Sequence, residues 1–234
     1  QWDAVTPDFL SAATAPAKWS SAWVICERNG MAVDYNETEK FHFVENLIHE
    51  HCICGVTGCA DASHEKVTFQ AWVDDTKLPT EGAYYLTEDV NLNGAAELSK
   101  DLKLCLNGCT VTATNGARHV MVGYGYTFSL TDCGTTGKLT GGTAAWGASI
   151  SLDYKGTFNM YGGTIRGNTA KTSAGGVYAS TNTTFNMTGG AIVANTSEAA
   201  GGGMYVLRAK VTITGGQLNS NIAKSSGAQM VVGG

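Results

Sequence analysis

The C-terminal third of the chain repeats itself, and that repeat limits the fold more than any other feature. The segments FNMYGGTIRGNTAKTSAGGVYASTNTT (158–184), FNMTGGAIVANTSEAAGGGMYVLRAK (185–210) and VTITGGQLNSNIAKSSGAQMVVGG (211–234) place Phe158, Phe185 and Val211 at equivalent positions, 27 and 26 residues apart. Each unit opens with period-two alternation (Phe158-Asn159-Met160, Phe185-Asn186-Met187, Val211-Thr212-Ile213), the pattern of a strand with one buried face. The pairs Gly162-Gly163, Gly189-Gly190 and Gly215-Gly216 then mark a bend, followed by a second strand, an asparagine corner (Asn168, Asn195, Asn221) and a third strand. Three short strands in so few residues cannot bury a face alone, so successive units must stack. Self-similarity of this kind predicts a right-handed parallel β-helix: an all-β, three-faced solenoid of about five to six coils with an irregular N-terminal cap. Leucine-rich repeats need a denser leucine pattern, and propeller blades need units of about 40 residues. The asparagines are expected to form a hydrogen-bonded ladder at one corner, with side chains suited to left-handed backbone there.

We divide the 234 residues into a cap with a Cys/His cluster (1–65) and the solenoid (66–234), the latter expected to be truncated at its C-terminal end. Apolar content of 43% is enough for a sizeable core. The sequence has no run of 18 apolar residues, which argues against membrane insertion, and no leader pattern at Gln1. Residues 1–101 hold 17 acidic and 6 basic side chains, whereas 102–234 hold 3 acidic and 9 basic. Nine scattered cations without interleaved aromatics make a poor nucleic-acid surface. In the cap, Trp2, Trp19 and Trp23 are expected to be buried, and 11–21 is rich enough in alanine for a short helix limited by Pro16.

The densest chemistry lies at 49–64, where His49, His51, Cys52, Cys54, Cys59 and His64 fall within 16 residues. Cysteine and histidine are the ligands of tetrahedral zinc, and Cys52, Cys54, Cys59 and His64 would make a closed structural site, with His49 and His51 as alternates. Disulfides are the competing reading, because exported proteins fold in oxidising compartments. Further on, LCLNGC (104–109) aligns with FSLTDC (128–133) at a step of 24, which would stack Cys109 on Cys133 and make them a disulfide candidate. Seven cysteines leave one over unless a metal takes an odd number, with Cys26 and Cys105 as the spares. The last unit stops just past its third strand, an open edge that would recruit a partner or continue.

HEHCICG (49–55), LPTEGAYYLTEDVNL (78–92), LCLNGCTV (104–111) and the FNMxGGxIxxNT units (158–169 and 185–196) resemble the β-helix repeat proteins on the surface of Gram-positive gut bacteria. The resemblance covers 49–234 and implies an extracellular or cell-surface module of a larger exported protein, without an assigned activity. Its partner would be a host or microbial glycan or protein surface, and its role adhesion or that of a stalk. Many relatives have His where this chain has Cys109, so a Cys109–Cys133 link would be local to this chain. A polysaccharide lyase or hydrolase is the enzymatic alternative, since such enzymes share the fold, but fold alone is no evidence of activity. From 102 onward only Asp132, Asp153 and Glu198 are acidic, at different places within their coils, so no catalytic residues are assigned. A third reading is a structural unit that assembles end to end through the open last coil.

Overall fold

The computed structural model describes the strands Val24–Cys26, Met31–Asp34 and His42–Glu45, and residues 49–233 apart from 57, 58 and 63. The helix expected at 11–21 and the tryptophans of the cap lie outside the described residues. Two compact units are present, 1–48 and 49–234, so residues 49–65 belong with the solenoid. In the first, the three strands named above form an antiparallel sheet.

The second unit is a parallel β-solenoid. Its longest sheet has eight strands, and two further faces are sheets of six. The long sheet stacks Leu102–Cys105, Thr127–Thr131, Thr157–Met160, Thr184–Met187 and Lys210–Ile213 in parallel. The repeat seen in the sequence sets this register: Phe158 pairs with Phe185, and Phe185 with Val211. Alternation sends Phe128, Phe158 and Phe185 into the interior, fully buried, with ring centroids 5.2 and 5.3 Å apart along the stack. A fourth sheet, absent from the sequence reading, joins Thr143–Trp146, Thr169–Ser173, Thr196–Ser197 and Ile222–Ala223 just beyond the asparagine corner.

The asparagine ladder forms, but not as a left-handed corner. The positive φ angles fall one residue earlier, at Gly167, Ala194 and Ser220, and the turn they make points each asparagine inward. Asn195 Nδ2 donates to Ile165 O (2.9 Å) and Asn221 Oδ1 (3.0 Å), while its Oδ1 accepts from Asn168 Nδ2 (2.9 Å) and Asn168 N (3.2 Å). Asn168 and Asn221 donate likewise to Leu139 O and Ile192 O, carbonyls of one sheet column. Val111 belongs to that column, and there the donor is His119, whose Nε2 reaches Val111 O at 3.2 Å and Thr140 O at 3.0 Å. Ser149 Oγ donates to His119 Nδ1 at 3.1 Å, which fixes the neutral Nε2–H tautomer. Complete burial holds the imidazole well below its usual range, at about 4.

At its other edge the long sheet ends on His49–Cys52. This strand runs antiparallel to Lys66–Trp72, which in turn pairs in parallel with Gly82–Leu86. That reversal positions the site.

Candidate metal centre

A strand points residues i and i+2 to the same side, so His49 and His51 project together from the edge strand. Phe69 stacks on His51 with centroids 4.7 Å apart, and Tyr85 stacks on His49 at 4.4 Å; these flat contacts fix both rings. The chain then turns at Cys52–Gly55, closed by a hydrogen bond from Gly55 N to Cys52 O of 2.8 Å. Gly55 has φ +80°, and a Cβ there would lie 2.7 Å from Asp132 O, so only glycine lets this turn press on the corner at 131–133. That corner carries Cys133. Asp132 pins it by accepting from Gly108 N (2.7 Å), Gly134 N (3.2 Å) and Gly137 N (2.8 Å).

The result is a cluster that sequence reading split between two unrelated predictions. His49 Nε2 lies 3.1 Å from Cys133 Sγ, and His51 Nε2 lies 3.3 Å from Cys105 Sγ. The two sulfurs are 3.4 Å apart, and Cys105 Sγ is 3.9 Å from His49 Nε2. All four donor atoms fall within 4.8 Å of one another. A regular tetrahedron built from Zn–S of about 2.3 Å and Zn–N of about 2.0 Å has edges of about 3.3–3.8 Å. The observed edges scatter about that range, so the donor set fits zinc. His51 also meets the usual requirement on a ligating imidazole: its other ring nitrogen, Nδ1, is 2.6 Å from Cys52 O, leaving Nε2 for the metal.

The electrostatics agree. Hydrogen bonding from the Cys105 thiol, with help from His51 and His49, brings Cys133 down to about 4, a thiolate at neutral pH. Cys105 moves the opposite way, raised by the neighbouring Cys133 sulfur and by burial. Burial alone would lower His51, but bonding to Cys133 and to the Cys52 carbonyl outweighs it and raises the imidazole. Without a cation the cluster crowds sulfur on sulfur, the condition that a divalent metal relieves.

A second cluster keeps part of the expected site. Cys54, Cys59 and His64 gather their donor atoms within 4.8 Å, and Cys59 Sγ is 3.3 Å from His64 Nδ1. That contact lowers Cys59 to about 7 and raises His64. Cys52 is buried beside this group, its sulfur 3.7 Å from the Cys59 carbonyl, and is not among the donors that converge. The alternates His49 and His51 go instead to the first cluster.

The step of 24 that would stack Cys109 on Cys133 is corrected. Leu102 pairs with Phe128 and Leu104 with Leu130, a step of 26, with all four side chains fully buried. Cys133 therefore sits two residues past Thr131, the partner of Cys105, and turns to Cys105. Cys109 Sγ faces the Leu86 carbonyl at 3.7 Å, and both Cys109 and Cys133 are free thiols. Sequence reasoning missed Cys105 as a ligand; its only signal was a cysteine at an inward position of the core strand Leu102–Cys105.

The three acids from 102 onward are each engaged apart from one another. Asp132 holds its corner as described, Asp153 accepts from Ser180 Oγ at 2.8 Å, and Glu198 pairs with Lys224. No family model, curated protein or solved structure matches this chain.

Proposed function

We propose that the chain is a non-enzymatic module of an exported bacterial surface protein: a β-solenoid used for contact or as a stalk, its first coils stapled by structural zinc. The observation that carries the zinc reading is the tetrahedral fit of His49, His51, Cys105 and Cys133. Four protein donors close such a site and leave no open position for chemistry, so zinc there would act as a cross-link. It would tie the antiparallel edge strand to residues 56 and 84 positions further along the chain. Cys54, Cys59 and His64 offer three donors for a second ion, with Cys52 the nearest further sulfur. The separate commitments of Asp132, Asp153 and Glu198, the acids from 102 onward, support the non-enzymatic side for that part of the solenoid, since glycoside hydrolysis needs paired carboxylates across one bond.

Metal analysis of protein prepared without added zinc, with a free-thiol count, tests the staple. One or two zinc per chain is expected, reduced by one in the Cys105→Ser and His51→Ala variants, and chelator should lower the melting temperature where reductant does not. No metal with few free thiols would overturn the proposal in favour of a disulfide clamp. Release of unsaturated or reducing sugar from pectins or host glycans would overturn the non-enzymatic reading.

A further inference from the structure

The two Cys/His clusters differ in a way that bears on what each can bind. In the first, His51 and Cys105 are buried, and four donors surround one point. The second sits on the segment that joins the edge strand His49–Cys52 to Lys66–Trp72. That segment is tied at its base, where Ile53 N donates to Glu65 O at 2.8 Å, next to the register pair Cys52 and Lys66. Above the base, Cys59 N donates to Val56 O at 3.4 Å and His64 N to Asp61 O at 3.0 Å. Among the described residues from 54 to 65 none is buried, so no apolar core of its own holds this segment in shape. Cys54, Cys59 and His64 nevertheless bring their donor atoms within 4.8 Å of one another, each half-buried. Convergence of ligand atoms where packing is absent is what a bound ion would enforce.

His64 is oriented as a ligand. Its Nδ1 faces Cys59 Sγ at 3.3 Å, and its Nε2 lies 3.7 Å from Asp61 Oδ2, so a carboxylate stands on the far side of the ring. That is the arrangement that fixes metal-ligating imidazoles. The groups that could supply a fourth donor are spent elsewhere. The buried Cys52 thiol donates to the Cys59 carbonyl at 3.7 Å and does not join the three. Glu50 pairs with Lys66 at 3.5 Å, and Glu65 with Lys103 at 2.6 Å. Three protein donors and an exposed fourth corner make the pattern of a zinc site that keeps an exchangeable position, where four donors make a closed one.

We propose that Cys54, Cys59 and His64 hold a zinc ion whose fourth position is open to an external soft donor, a thiolate or an imidazole. Two thiolate ligands cancel the charge of a divalent ion, which weakens its hold on hard oxygen ligands, and a soft donor matches the sulfurs already present. Hydrolysis is not the use of this opening. A metal-bound water needs a carboxylate or imidazole placed to take its proton, and Glu50, Glu65 and Asp61 are each engaged with Lys66, Lys103 and His64. The two centres therefore divide the work: the closed one ties strand to coil, and the open one presents an ion at the surface for a ligand from outside the chain.

The inference rests on the second ion proposed above, and the experiment separates the two. The full chain is loaded with Co²⁺, a coloured stand-in for zinc, and its visible band is followed as imidazole, N-acetylcysteine or acetate is added. Two equivalents of cobalt should bind. Imidazole and N-acetylcysteine at millimolar concentration should shift the band, and acetate should not. The shift should vanish in Cys54→Ser/His64→Ala, which keeps one equivalent, and persist in Cys105→Ser/His51→Ala. Should the latter variant not fold, the difference spectrum between the parent and Cys54→Ser/His64→Ala reads the open site alone. A single equivalent in the parent would overturn the second ion itself. Two equivalents with no response to either soft donor, or with an equal response to acetate, would overturn the open position and leave the ion standing. So would a response that emerges only in Cys52→Ser, which would make Cys52 the fourth ligand.

Discussion

Replacing Asn195 with alanine should be among the most damaging single changes in the solenoid. Its side chain is fully buried and makes the four hydrogen bonds given above. Two of the partners survive the change: Asn168 Nδ2 keeps Leu139 O at 3.2 Å, and Asn221 Oδ1 keeps the backbone N of residue 195 at 2.9 Å. The Asn168 N–H and the Ile165 carbonyl lose the side-chain partner. At about 1–3 kcal/mol for each buried group so stranded, the loss is roughly 2–6 kcal/mol, a large part of the 5–15 kcal/mol that holds a typical domain folded. Asn186 is the internal control. It too bonds an asparagine of a neighbouring coil, Nδ2 to Asn159 Oδ1 of the preceding coil at 2.9 Å, but on the half-buried outer face, where Asn186→Ala should lose about 1 kcal/mol or less. Urea unfolding of both variants measures the difference, and amide exchange at Asn168 locates it. Equal losses in the two, or an Asn168 amide as protected as in the parent, would refute the view that the inner ladder holds the coils in register.

Phe185→Ala should cost about 3–5 kcal/mol, because the fully buried ring has Phe158 stacked 5.3 Å away and its removal leaves a cavity; an unchanged melting temperature would contradict that packing. His119 should make stability fall with acidity. Its folded pKa is depressed from 6.5 to about 4, so the unfolded chain binds the extra proton first, and stability is lost as pH falls from about 6.5 to about 4. The full effect is about 3 kcal/mol, and His119→Asn, which keeps an amide donor and cannot take up a proton, should flatten the profile across that window.

Legibility in the sequence followed periodicity. Where units repeat cleanly, from Phe158 onward, the strands, their register and the existence of the asparagine ladder could be read directly, since a step of 27 or 26 admits a single alignment; that the asparagines point inward could not. Where units are degenerate the same logic misled. LCLNGC and FSLTDC alternate with period two, so a shift of two residues preserves the inward pattern, and only the packing of Leu102 and Leu104 on Phe128 and Leu130 decides between steps of 24 and 26. The metal centre was half legible. Local density at 49–64 announced ligand chemistry, but His49 and His51 find their sulfurs 56 and 84 residues away, brought near by a chain reversal that no spacing rule encodes. His119 was invisible for a related reason: a lone histidine gives no sign that it does the work of an asparagine.

The antiparallel strand His49–Cys52 has a consequence for polymer growth. A parallel stack lengthens only if each new strand runs with the last, and a coil arriving on the long sheet at this edge meets a strand running the other way. A further coil of the common polarity therefore cannot join the long sheet at that edge, and the reversal closes this side of the solenoid to growth by stacking.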